Sequence, residues 1–373
     1  MKIAFIHDHL NQMGGAENVL EQLCEVFPGA PVFTSIVDRS RLRSSFKNID
    51  IKHSFMQRLP FLSKHYKKYL PFYPIAFNRM KLSGYDIIFS ISSNFAKGVT
   101  YEPGSMHINY CLTPMRFVWM LKQYIEKEEI PFYYLPLLYP LLTRFKRWDL
   151  KKNNSIHRFV TLSKTVQERI RNWYGRNSDI IYPPVDTDKF TIDDKQSADY
   201  FLVVSRLRGY KRIDLAVKAC TELNLLLKII GDGSQRKMLE NMSGPTVEFL
   251  GYQNDQKVIE YMQRCKAFIF PGEEDFGIAP LEAQACGRPV IAYKAGGALD
   301  TIIDGKTGIF FNQQNIEALS KALSLFDTCK FSRESCRSNA IKFSNEQFKS
   351  SITRYIENSL KEFKNAHITQ QAC

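Results

Sequence analysis

Short apolar runs alternate with helix-length segments along most of this 373-residue chain, and few folds accommodate that pattern. A strand followed by a helix returns parallel to itself, so the repeat predicts parallel sheets covered by helices. In the first half the strand candidates are "KIAFIH", "PVFTSI", "DIIFSI", "HINYCL" and "HRFVTL". In the second half they are "YFLVVS", "LLLKII", "TVEFL", "AFIFP" and "RPVIAY". Between the sets lies "IIYPPVDTDKF", where Pro183 and Pro184 would stiffen a crossing. The length exceeds one ordinary core, so the expectation is two doubly wound α/β domains facing each other across a cleft. The boundaries read as 1–184 and 185–345, with a helical segment at 346–373 packing back on the first domain. In that segment Phe348, Ile352, Tyr355, Ile356 and Leu360 recur at helical spacing.

The charge is unevenly divided. Residues 1–185 hold 26 Lys/Arg and 14 Asp/Glu, a balance of +12, whereas residues 186–373 balance at +1. A basic first half calls for a partner of negative charge. Residues 51–85 carry seven Lys/Arg and no Asp or Glu, with Phe55, Phe61, Tyr66, Tyr69, Phe72, Tyr73 and Phe77 interspersed. Basic groups and interfacial aromatics together predict an anionic membrane surface as partner; a solvated basic face is the plainer alternative. Nucleic acid is not expected, because no nucleic-acid-binding motif accompanies the charge. The aromatic segment "IPFYYLPLLYPLLTRFKRW" reads equally as a second membrane contact, a lipid groove or core. It is too broken by proline to span a bilayer. Eight cysteines without paired spacing, and no secretory signal, predict a cytoplasmic protein at the inner face of the membrane.

Three clusters carry chemistry, all expected where strands end in the second half. "AFIFPGEEDFGIAPLEA" places Glu274 on a loop and Glu282 in the first turn of a helix starting near Pro280. That helix N-terminus suits a diphosphate. "VVSRLRGYKR" puts Arg206 at a strand end and Lys211 at the opening of the next helix, two cations able to neutralise a departing diphosphate. "IIGDGS" supplies Gly231 and Gly233, either a plain turn or a loop that a base approaches closely. Glu273 and Asp275 read as loop charges. His7 and His9 of "HDH" lack a third metal ligand, so no metal is expected there. Asp186 and Asp188 of "DTD" follow prolines rather than a strand and read as a turn or cap.

Taken together, Arg206, Lys211, the Gly231–Asp232–Gly233 turn and the Glu274-x7-Glu282 pair resemble the donor site of retaining glycosyltransferases of family 4. "NQMGGAENVL", "SSNFAKGV" and "CLTPMRFVW" are similar to the acceptor half of that family, and more narrowly to its mannosyltransferase-type members of lipopolysaccharide and surface-polysaccharide synthesis. The resemblance implies the GT-B fold of two Rossmann-like domains and a metal-independent hexosyltransferase needing no cofactor. It implies transfer from a nucleotide-sugar, GDP-mannose favoured and a UDP-sugar possible, to a lipid-linked saccharide. Arg206 and Lys211 would hold the donor phosphates, Glu282 the ribose, and Glu274 the sugar together with backbone amides of Phe276, Gly277 and Ile278. Gly14 and Gly15 would let the first loop approach the donor and the acceptor, while His9 and Arg116 would face the acceptor. Many relatives carry a His just before the Thr-Pro of "CLTPMR"; this chain has Leu112, which leaves Arg116 as the nearest polar group. The rival readings are a sugar-nucleotide epimerase of the same architecture, which needs acid/base residues not identified here, and a non-catalytic sugar-nucleotide-binding protein.

Overall fold

The computed structural model describes residues 1–60, 66–128, 135–193 and 197–371. Phe61 of the basic stretch and residues 130–134 of the aromatic segment lie outside them. Up to Pro184 the strands are β1 (Ile3–His7), β2 (Val32–Thr34), β3 (Ile51–His53), β4 (Lys81–Leu82), β5 (Ile87–Ser92), β6 (Thr100–Tyr101), β7 (Met106–Cys111), β8 (Arg158–Thr161) and β9 (Asp179–Ile180). Strands β4 and β6 pair alone, and the other seven form one parallel sheet in the order β3-β2-β1-β5-β7-β8-β9. In the second half β10 (Phe201–Val204), β11 (Leu227–Ile230), β12 (Val247–Gly251), β13 (Ala267–Phe270), β14 (Val290–Tyr293) and β15 (Gly308–Phe311) make a sheet ordered β12-β11-β10-β13-β14-β15. The fold is the expected α/β one, and all ten expected strands are present.

Both sheets are buried on two faces, which is why their strands read as near-continuous apolar runs. In β10, Phe201 and Val203 enter one core cluster while Leu202 enters the cluster on the opposite face. That alternation is the two-residue period of a pleated strand. In the first sheet β1 is buried throughout and lies in register with β5, from Ile3 beside Ile87 to His7 beside Ile91. Five cysteines, Cys111, Cys220, Cys265, Cys286 and Cys336, are buried and not in disulfides. Burial pushes the Cys265 thiol up to about 12.

The chain divides into two compact units, one containing most residues up to Pro184 and those from Phe348 onward, the other Val185–Gln347. One helix, Asn345–Gln371, therefore starts in the second unit and continues in the first. Its Phe348, Ile352, Ile356 and Leu360 are buried, with the Phe348 ring edge-on to Tyr110 at 6.3 Å. Tyr355 donates its hydroxyl to Asp179 at 2.9 Å, and Arg158 pairs with Glu362 at 2.9 Å. No described helix is long and apolar enough to cross a membrane.

Candidate functional site

Each sheet reverses its winding once, and at such a reversal the loops beyond the strand ends diverge and leave room for a ligand. In the second sheet the reversal lies between β10 and β13. Lys211 is on the loop after β10 and Glu274 on the loop after β13, and the two form an ion pair. Both are partly buried, at 15% and 26% side-chain exposure, so the pair is reachable from solvent. Arg206 is exposed on the same β10 loop.

Backbone contacts tie this loop to its neighbours. A Cβ at Gly231 would lie 1.9 Å from the Ser205 carbonyl oxygen, and one at Gly233 would lie 2.3 Å from that of Leu207. The missing side chains of these glycines let their turn touch the β10 loop. On the other side Gly297 donates its N–H to the Glu274 carbonyl at 2.8 Å, and a Cβ there would lie 2.2 Å from the Phe276 Cα. The Gly296–Gly297 pair was not among the sequence candidates. The signal for it was a glycine doublet two residues beyond the apolar strand "VIAY".

Two positional expectations change. The helix after β13 spans Ile278–Ala285, starting before Pro280, so Glu282 stands in its second turn. Proline at the third helical position costs no hydrogen bond, since the first four N–H groups have no partner within the helix. Lys211 does not open a helix either; it ends a short 3-10 turn, and Arg212 in the left-handed region (φ 53°) separates it from the helix at Ile213. The Lys211 ammonium consequently projects from a loop. Gly277 caps the Ile278–Ala285 helix with φ 87°, and Phe276 is buried against Phe343 at 5.9 Å. Among the candidates, Lys211 and Glu274 are brought into contact, and Gly231 and Gly233 support the same loop from beneath.

The first sheet reverses between β1 and β5, and there a side chain missed by the sequence reading dominates. Asp8, 5% exposed, accepts backbone N–H bonds from Ser93 and Asn94 on one oxygen and from Phe95 and Ala96 on the other, at 2.7–2.9 Å. One carboxylate thereby fixes the whole loop of "SSNFAKGV". The next residue, Lys97, is buried and pairs with the fully buried Asp149, which also accepts the Trp119 indole N–H at 2.7 Å. His7 is enclosed, with Nδ1 at 3.0 Å from the His9 carbonyl, and burial pushes it down to about 4. His9 is half-buried beside Tyr66, their rings 5.3 Å apart. Gly14 caps the helix Gly15–Val26, and Arg116 begins the short helix Arg116–Trp119. Asp186 closes a turn by accepting the Lys189 N–H at 3.0 Å. Among the described residues no three His, Cys, Asp or Glu side chains converge as a metal site.

Two family models divide the chain between them: Glycosyltransferase Family 4 matches residues 13–189, and Glycosyl transferases group 1 matches residues 185–343. The chain is similar to the GDP-mannose-dependent alpha-(1-6)-phosphatidylinositol monomannoside mannosyltransferase of Mycolicibacterium smegmatis, 28% identical over 193 residues, which is 43% of this chain and 50% of that one. The matched stretches span about half the length of the curated relatives. Among solved structures, the apo lipopolysaccharide outer core galactosyltransferase superposes with TM-score 0.69 at 19% identity, covering 96% of this chain and 100% of that one. An Anabaena protein solved with UDP gives TM-score 0.69 at 17% identity with the same coverage. These two likenesses show the fold.

Proposed function

Because the chain belongs to family 4 of the glycosyltransferases and has their GT-B fold, we propose that it is a retaining hexosyltransferase moving mannose from GDP-mannose to a lipid-linked saccharide. The observation that carries this reading is the Lys211–Glu274 pair at the winding reversal of the second sheet, reachable from solvent. A nucleoside diphosphate bound there meets Lys211 and Arg206, which neutralise the charge that grows as the glycosidic bond breaks. Glu282 takes the ribose hydroxyls and Glu274 the hexose, with amides at Phe276, Gly277 and Ile278 completing the sugar contacts. Retention follows if the acceptor hydroxyl attacks from the face that the diphosphate leaves, its proton passing to a phosphate oxygen. Protein cations rather than a metal ion serve the leaving group. The acceptor side is the first unit, with His9, Gly14 and Gly15 after β1 and Arg116 after β7. Its excess positive charge supports a place at the inner face of an anionic membrane.

The mannosyl preference rests on the mycobacterial relative, whose printed name specifies GDP-mannose. The test is incubation of the purified chain with labelled GDP-mannose, UDP-glucose and UDP-galactose together with membrane lipids. Label in the lipid extract from GDP-mannose alone is expected; label from a UDP-sugar alone replaces the donor, and none from any donor overturns the transfer. Glu274→Ala is expected to lower transfer by on the order of 10²-fold, the scale of losing one transition-state contact. The same variant is expected to bind GDP more tightly, because Lys211 no longer shares its charge with a carboxylate.

A further inference from the structure

The helix Tyr73–Arg79 buries Tyr73, Ala76 and Phe77 and turns the opposite side outward. On that side Phe72, Ile75 and Arg79 follow one another at i, i+3 and i+7, so they form one stripe. Phe72 is 42% and Ile75 46% exposed, and the Arg79 guanidinium lies 5.6 Å over the exposed ring of Phe55. A second helix, Leu135–Asn153, covers the same core cluster through Phe145. The two are joined where Lys152 donates to the Asn78 amide oxygen at 3.1 Å. The outer side of the second helix repeats the pattern: Arg144, Arg147 and Lys151 are exposed at i, i+3 and i+7, beside Leu150 and a Tyr139 that is 67% exposed. Its single acidic residue, Asp149, is fully buried against Lys97. Residues 51–85 contain no acidic residue at all.

A solvated basic surface has no need of five large exposed aromatic and aliphatic side chains between its cations. Cations that reach headgroup charge and aromatic or aliphatic groups that settle at the acyl boundary are the two components of interfacial binding. We propose that the joined outer sides of the helices Tyr73–Arg79 and Leu135–Asn153 are the surface that docks on an anionic lipid bilayer. The inference deepens the membrane location proposed above and rests on it. It assigns that location to one surface: Arg79, Arg144, Arg147 and Lys151 supply the charge, while Phe72, Ile75 and Leu150 enter the interface.

The test is co-sedimentation of the full chain with vesicles of phosphatidylcholine alone or mixed with phosphatidylglycerol. The expected result is binding to the mixed vesicles only, weakened by salt. Arg79→Glu combined with Arg147→Glu is expected to weaken it by on the order of tenfold or more, from roughly fivefold for each cation lost near the surface. Phe72→Ser with Ile75→Ser is expected to retain low-salt binding and lose what persists at high salt. Lys218→Glu with Lys321→Glu, exposed in the second unit, is the control and is expected to change binding less than twofold. Tryptophan fluorescence and circular dichroism confirm that each variant is folded. If the unaltered chain ignores the mixed vesicles, both this assignment and the membrane location fall. If it binds and the Arg79/Arg147 variant binds equally, or the control loses as much, the location stands and the surface assigned here is wrong.

Discussion

The two sheets wind alike and close their reversal points in different ways. In the first, the Asp8 carboxylate occupies four successive N–H groups of residues 93–96, an arrangement a bound anion would otherwise take. In the second, the loops are fastened to one another through backbone at Gly231, Gly233 and Gly297, and the charged pair Lys211–Glu274 stays partly open. The first unit therefore has its anion-binding amides filled by its own chain, whereas the second leaves charge available to a ligand. The same difference extends inward. The first unit buries Lys97, Asp149, His7 and His107, while the second unit contains no histidine. The second unit buries neutral amides and hydroxyls instead: Gln284 and Asn339 both donate to the Thr301 carbonyl, and its one buried cation, among the described residues, is Arg288, which donates to the Gln263 carbonyl.

The contrast breaks most sharply at Lys97. Lys97→Met removes the cation that faces Asp149 in the core, and the expected loss is about 3–5 kcal/mol. Trp119, Trp148 and Trp173 all belong to the first unit, so denaturant unfolding followed by tryptophan fluorescence reads that unit directly. A loss under 1 kcal/mol would show that the pair is not what holds the unit.

In the second unit the corresponding lesion is Gly231→Ala. The added Cβ meets the Ser205 oxygen from a backbone at φ 129°, and the expected cost is about 1–3 kcal/mol. Circular dichroism should register it while the tryptophan transition moves less. Equal movement of both signals would mean that the units do not respond separately.

The smallest effect is in pH. His107 is buried, and burial, followed by the charges of His157, Lys152 and Lys97, pushes it from 6.5 to about 3. Above pH 6.5 neither state binds the proton and the stability is complete. Below that, the unfolded chain takes up a proton that the folded one refuses until about pH 3, so stability falls as pH falls. His7 behaves likewise down to about 4. Each contributes a slope of up to about 1.4 kcal/mol per pH unit. His107→Gln is expected to reduce the slope between pH 6 and 5 by nearly that amount in the tryptophan-reported transition, and an unchanged slope would discount His107 as its source.

Much of this was legible in the sequence because parallel strands buried on both faces leave unbroken apolar runs. The strands not expected were the sheet-edge strands β3, β9 and β15 and the separate pair β4 and β6; all but β15, whose "GIFF" is apolar, are two or three residues long. Arg206, Lys211, Glu274 and Glu282 stood out as a set, in the order that resembles the family's donor site; either glutamate alone would read as a solvated carboxylate. Asp8 did not, since its meaning lies in amides 85 or more residues away that only the pairing of β1 with β5 brings close. The glycines were seen, and their purpose was not: a pattern of Gly-x-Gly records close approach without saying what approaches.

The helix Asn345–Gln371 has a consequence for how the chain is made. Phe348, Ile352 and Ile356 bury against the first unit, yet they emerge from the ribosome only after the second unit is complete. The first unit thus waits, with part of its core uncovered, for a segment that lies across an entire intervening fold. Contacts of such long sequence separation slow folding and leave apolar surface exposed meanwhile. The second unit, nearly all of it the one stretch Val185–Gln347, can close first and keep nascent chain compact until this helix arrives.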